Sequence, residues 1–129
     1  MAIDQDFKNK LASQPGAEKL FGCFLCGTCT AGCPISEIDK DYDPRKIMRL
    51  ILLGKKEEAL AGAELWKCYQ CHTCVAHCPQ DVRFADIIRA AREVAIQEGI
   101  CDKNLAEKVA ELDKKARQQR LKDVADLLS

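Results

Sequence analysis

The sequence predicts an all-α fold organised around two cysteine-rich runs of identical spacing. Three observations carry that prediction. Cysteine recurs as Cys23-x2-Cys26-x2-Cys29-x3-Cys33-Pro34 and again as Cys68-x2-Cys71-x2-Cys74-x3-Cys78-Pro79, which uses eight of the nine cysteines of the 129-residue chain. The segments between and after the runs place apolar residues at helical spacing and end in helix stop signals. No stretch reads as a strand.

Taken in order, residues 4–20 read as one short helix interrupted by Pro15-Gly16, with no evident role. Between the runs, residues 34–67 read as helical. Asp43 is a good N-cap, Pro44 suits the first helical position, and Ile47, Leu50, Ile51 and Leu53 follow before Gly54 ends the element. A second short helix over 55–61 stops at Gly62. After the second run, Ile87, Ile88, Ala91, Val94 and Ala95 form an apolar stripe on a helix ending at Gly99. Residues 103–129 read as an amphipathic helix with Leu105, Val109, Leu112 and Ala116 on one face, then Leu121, Val124 and Leu128, and with a break expected near Gln118 and Gln119. Lys114, Lys115, Arg117, Arg120 and Lys122 lie between the two apolar stretches. The expected organisation is an N-terminal helical segment over 1–20, a central domain over 21–100, and a tail over 101–129 that docks a partner.

The spacing of the runs is that of a pair of iron-sulfur cubanes. Each iron corner needs a soft anionic ligand, and a loop with cysteine at every third position wraps three corners, leaving the fourth to a distant cysteine. In two-cluster proteins of this type the last cysteine of each run serves the other cluster. One 4Fe-4S cluster is therefore assigned to Cys23, Cys26, Cys29 and Cys78, and the second to Cys68, Cys71, Cys74 and Cys33. Structural zinc is the competing reading, because paired CxxC motifs also describe zinc ribbons. Tetrahedral zinc requires neither a third evenly spaced cysteine nor a Cys-Pro in both runs. A disulfide framework is opposed by residues 1–10, which are polar and charged and contain no apolar signal stretch. A cytoplasmic, reducing location is expected.

Composition narrows the function classes. Twenty basic residues balance twenty acidic ones, so the chain has no electrostatic footprint for nucleic acid. Eight thiolates at about −8 and two oxidised cluster cores at about +4 give a loaded charge of about −4. Arg45, Lys46, Arg49, Lys67, Arg83 and Arg89 lie near the runs in sequence and are candidates to offset it. Aromatic residues make up only 5%, so two cluster staples are expected to substitute for missing core. The most apolar segment, residues 47–53, contains Arg49 and is too short to cross a bilayer. Neither a GxGxxG fingerprint nor a P-loop occurs. With cysteine at every cluster corner no iron is left open to substrate, so no bond chemistry is expected in this chain.

The helical insert and flanks separate the chain from the common β-rich two-cluster ferredoxin. They resemble the α-helical ferredoxin domain found in the iron-sulfur subunits of succinate dehydrogenase and fumarate reductase. Within that fold, CFLCGTCTAGCP at 23–34, DPRKIMRLILLGKKEEAL at 43–60, LWKCYQCHTCVAHCP at 65–79 and DVRFADIIRAAREVAIQEG at 81–99 resemble the C subunit of heterodisulfide reductase in its small soluble form. The resemblance covers roughly residues 20–100. It implies that 29–33 and 74–78 each span one helical turn closed by proline, tying the last cysteine of each run to the neighbouring cluster. It also implies an electron conduit joining a flavin-containing, A-type protein to a cysteine-rich, B-type catalytic subunit, with the disulfide chemistry in the latter. This chain has no Cys-Cys-Gly of its own. A standalone ferredoxin, an electron-input subunit of a membrane quinone reductase and a zinc-stapled interaction module are the alternatives.

Smaller features complete the reading. Gly22, Gly27 and Gly32 flank the first run's ligands and are expected to let the backbone approach a cluster. His72 and His77 replace two of them in the second run, in a surface or supporting role, so the two clusters are expected to differ in potential. Trp66 is expected to shield a cluster from water, and Cys101 to be a free cysteine outside the ligand set.

Overall fold

A computed structural model describes residues 3–129, and among them every regular element is a helix. The first, α1 (Gln5–Ala12), begins where the Asp4 carboxylate accepts hydrogen bonds from the backbone N–H groups of Asp6 and Phe7. It turns Phe7 and Leu11 inward. The chain then reverses at Gly16, at φ +91°, where a side chain would place its Cβ 2.9 Å from that of Asp86. A 3₁₀ turn over Leu20–Gly22 delivers the first cysteine run. Phe7, Leu11, Ala17 and Leu20 share one core with the rest of the molecule, so the segment without an evident role is structural.

Two short helices follow, α2 (Thr28–Ala31) and α3 (Pro34–Ile38), then α4 (Pro44–Leu52) and α5 (Lys56–Leu60). The expected start of α4 is observed: Asp43 accepts from the Lys46 N–H at 3.2 Å and Pro44 occupies the first turn. Gly54, at φ +74°, reverses the chain between α4 and α5, and its carbonyl accepts from the Asp4 N–H at 2.8 Å. A turn at α6 (Glu64–Lys67) precedes the second run and α7 (Thr73–His77).

The longest buried element, α8 (Phe84–Gln97), is the axis of the fold. Ile87, Ile88, Ala91, Val94 and Ala95 are buried on it, and α1, α5, α6 and α7 pack around it. Asp86 is also buried, at 4% exposure, and meets Arg83 Nε at 2.6 Å and Arg89 Nη2 at 2.8 Å. Two guanidinium groups make a carboxylate tolerable there. Arg83 and Arg89 are thereby committed to Asp86 instead of to the cysteine runs.

Two local expectations change. Helix α7 does carry Cys74 to Cys78 through one turn, with the Cys78 N–H on the Cys74 carbonyl at 3.1 Å. In the first run α2 stops at Ala31, the Cys33 N–H returns to Thr30, and Pro34 opens α3 instead of closing a turn. The tail is the larger change. It forms one helix, α9 (Leu105–Leu128), with no break at Gln118 and Gln119 and no buried residue. Glutamine is a good helix former, and Gln119 Nε2 donates to Asp123 at 2.8 Å one turn on. The apolar stripe changes phase near these glutamines, and a helix exposed throughout residues 114–129 can carry that change without a break.

Candidate metal centres

The two runs fold alike. Leu25 and Gln70, two residues after the first cysteine of each run, both adopt left-handed backbone at φ +59° and +61°. That conformation turns each N–H back onto a sulfur: Leu25 N donates to Cys23 Sγ and Gln70 N to Cys68 Sγ, both at 3.4 Å. A second left-handed residue follows in each run, Gly27 at φ +86° and His72 at +63°. Gly27 is therefore the one glycine of the three whose backbone freedom is used, and histidine takes up the same conformation in the second run. Gly22 and Gly32 have ordinary φ, and a Cβ at either would meet nothing closer than 3.8 Å. Strained non-glycine residues gather here and just beyond, at Asp81 and Arg83, as they do where a backbone is shaped to a ligand.

Helices α2 and α7 pack against each other, which brings the runs face to face. Two cavities result. The first, which opens to solvent, is lined by Cys23, Cys26, Cys29, Cys78 and Cys74 among apolar Met48, Val82 and Phe84. The second is lined by Cys33, Cys68, Cys71 and Cys74 with Tyr42, Pro44 and Phe84. Cys74 and Phe84 line both, so the cavities are neighbours. The last cysteine of each run thus stands in the cavity of the other run.

The thiols divide by depth. Burial pushes Cys23 and Cys29 up from the usual thiol range and raises Cys74 to about 11, with the Cys68 sulfur adding to the rise. At the mouths the balance reverses. The Thr28 hydroxyl, 3.2 Å from Cys26 Sγ, lowers that thiol. At Cys71 burial opposes the thiolate, but bonding to Thr73 and Tyr69 outweighs it and the net shift is downward. Binding of a metal group here must therefore release protons from the deeper thiols.

Several contributors escaped the sequence reading. Arg92 on α8 is more than half buried and donates to the carbonyls of Leu65 at 2.9 Å and Cys68 at 2.7 Å. It covers the face of Trp66, 4.9 Å from the ring centroid. Trp66 lines the cleft between α8 and α9 and neither cysteine cavity, so it does not shield a cluster directly. The half-exposed aromatics Phe24 and Tyr69 stand at the two mouths instead. Both follow the first cysteine of their run, a signal readable from the repeat. Arg45 donates to the Leu25 carbonyl at 2.7 Å beside the first cavity, as proximity in sequence suggested, whereas Lys67 pairs with Asp39 at 2.7 Å. Cys101 lines neither cavity.

The donor set suits cubanes. Each cavity offers four or more soft thiols, backbone N–H groups aimed at sulfur and apolar walls. A single ion does not suit it: among the described residues no three His, Cys, Asp or Glu side chains converge closely enough to share one. Residues 9–83 match the family model of the 4Fe-4S dicluster domain. The chain belongs to this dicluster family. Two 4Fe-4S clusters are its cofactors. It is 37% identical over 97 residues to the C subunit of the H(2):CoB-CoM heterodisulfide,ferredoxin reductase of Methanothermobacter thermautotrophicus, covering 75% of this chain and 51% of that protein. It is 42% identical over 77 residues to the iron-sulfur C subunit of the CoB-CoM heterodisulfide reductase of Methanopyrus kandleri, covering 60% and 40%. With the C subunit of the ferredoxin:CoB-CoM heterodisulfide reductase of Methanosarcina acetivorans the values are 36% over 84 residues, 65% and 33%. The resemblance to the C subunit of heterodisulfide reductase therefore holds, and the chain spans about half, or less, of the length of these relatives.

Proposed function

We propose that this chain is an electron-relay subunit of a heterodisulfide-reductase-like complex, carrying single electrons between a flavin-containing, A-type protein and a cysteine-rich, B-type subunit. In this reading Cys23, Cys26, Cys29 and Cys78 hold one 4Fe-4S cluster and Cys68, Cys71, Cys74 and Cys33 hold the other. Each cluster, when bound, takes up and releases one electron at a potential set by its surroundings. The observation that carries the proposal is the pair of adjoining cavities, each faced by thiols of both runs and each opening at its own aromatic-edged mouth.

The chain's own residues supply what a relay needs. Met48, Val82 and Phe84 keep water from the first cavity, and Tyr42, Pro44 and Phe84 from the second. Leu25 N and Gln70 N donate to ligand sulfurs. No helix of the described residues is long and apolar enough to cross a membrane. Eight cluster-ligand thiolates must be kept from forming disulfides, which calls for a reducing compartment, and we place the chain in the cytoplasm on that ground. The tail is proposed to dock a partner, because Leu112, Leu121, Leu127 and Leu128 are each more than 60% exposed on α9.

Anaerobic affinity purification of the full chain tests the assignment. Stoichiometric recovery with a flavoprotein and a chain rich in Cys-Cys-Gly motifs is expected, with electrons passing from the reduced flavoprotein to this chain. A b-type cytochrome as the retained partner would instead indicate quinone chemistry, and free exchange with unrelated soluble enzymes a standalone ferredoxin.

A further inference from the structure

The surroundings of the two cavities differ in one respect that the repeat does not predict. Tyr42, 1% exposed, lies in the wall of the second cavity, and its hydroxyl oxygen is buried without a hydrogen-bond partner. The thiols facing it are Cys68, Cys33 and Cys74, with Cys68 beside the hydroxyl but outside hydrogen-bond geometry. An unpaired buried hydroxyl in the wall of a ligand cavity is a donor awaiting an acceptor.

Cys68 already collects more than its counterpart. Its sulfur accepts from Gln70 N at 3.4 Å and from Gln70 Nε2 at 3.5 Å, and the partly buried Arg92 guanidinium is bound to the Cys68 carbonyl at 2.7 Å. Cys23 accepts from Leu25 N alone, at 3.4 Å, and the other backbone donor in that cavity, Val82 N, goes to Cys78 Sγ at 3.4 Å; among the described residues no side-chain amide or phenol donates to either sulfur. Leucine at the position of Gln70 has no side-chain donor. The first cavity's nearby cation, Arg45, is exposed on the Leu25 carbonyl, where water screens its charge. Donors and partly buried positive charge both favour the form of a site that carries the extra electron, and low dielectric strengthens that preference.

We propose that Tyr42 makes the Cys33, Cys68, Cys71 and Cys74 site the higher-potential of the two, its hydroxyl donating to sulfur in that cavity. Electrons then arrive past Phe24, settle behind Tyr69 and leave there. A transfer from the first cavity to the second oxidises one site and reduces the other by a single electron, with no bond made and no proton moved. The one-electron donor is a reduced partner protein, as in the relay on which this inference rests.

The test uses the full chain, purified anaerobically, with iron and sulfide measured on every variant. Potentiometric titration followed by electron paramagnetic resonance gives two midpoints. Serine at the exposed ligand of each run, Cys26→Ser or Cys71→Ser, shows which signal belongs to which site. In the unaltered chain the site containing Cys71 is expected to have the higher midpoint. Tyr42→Phe removes only the hydroxyl and is expected to cut that site's share of electrons at least tenfold, about 59 mV for a one-electron couple, leaving the other midpoint in place. Gln70→Leu copies the first run and is expected to move the same midpoint in the same direction. An unmoved midpoint in iron-replete Tyr42→Phe, or a lower midpoint for this site in the unaltered chain, overturns the proposal. If Tyr42→Phe loses iron, an unmoved midpoint in Gln70→Leu overturns it. A serine variant that alters both signals or neither would count against the ligand assignment itself.

Discussion

Removing residues 114–129 should leave the metal-binding domain almost untouched. Every residue of that stretch is exposed, whereas the nearer part of α9 holds half-buried Leu105 and Val109, and Val109 lines a cleft with Trp66 and Arg92. Since no buried contact is lost, the expected change in stability is within about 0.5 kcal/mol. Cutting at residue 103 instead removes two half-buried apolar side chains, Leu105 and Val109, a loss of about 1 kcal/mol each from area alone. Leu11→Ala sets the opposite extreme: Leu11 is 0% exposed in the shared core, and such truncations cost about 2–5 kcal/mol. For a domain near 100 residues each kcal/mol corresponds to about 4–8 °C. The short cut should therefore shift the melting temperature by less than about 4 °C, and Leu11→Ala by at least about 8 °C. Anaerobic melting followed by visible absorbance, with iron determined beforehand, reads all three variants. If the short cut strips iron or melts as low as Leu11→Ala, the distal tail belongs to the domain's own core and the docking role falls.

Other expected outcomes follow from single contacts. Cys33→Ser should perturb the signal of the site containing Cys71, and Cys78→Ser that of the site containing Cys26, because each stands in the other run's cavity; paramagnetic resonance of the two variants decides, and the reverse pattern would break the crossed assignment. Gly54→Ala should cost about 1–3 kcal/mol, since φ is +74° and the new Cβ would lie 2.8 Å from the Asp4 carbonyl oxygen. Melting of the iron-loaded variant measures this, and an unchanged transition would contradict the backbone geometry. Stripping iron with a chelator under anaerobic conditions should collapse the cooperative unfolding transition, because the thiols of both runs would then face open cavities with nothing to bridge them; circular dichroism during heating would show whether it survives.

The elements set by local chemistry were legible in the sequence. Asp43-Pro44 fixed the start of α4, Gly54 and Gly99 fixed chain reversals at positive φ, and the apolar stripe of α8 became the axis of the core. The cysteine spacing also indicated both cavities. What depended on contacts distant in sequence was not legible. Arg92 reaches back to Leu65 and Cys68, Tyr42 lies far from the second run it faces, and Asp86 is buried only because Arg83 and Arg89 enclose it. Residues 4–20 carried no evident role in the sequence, yet the turn at Pro15-Gly16 is what lets Ala17 and Leu20 rejoin Phe7 and Leu11 in the core. Residue type pointed to Arg45 and Arg83 equally; only packing separates the one beside the first cavity from the one held by Asp86.

Iron and acid-labile sulfide analysis of the anaerobically purified chain is the most direct measurement of the two-cluster relay. Two cubanes require about eight irons and about eight sulfides per chain. About four of each, or zinc in place of iron, would contradict it.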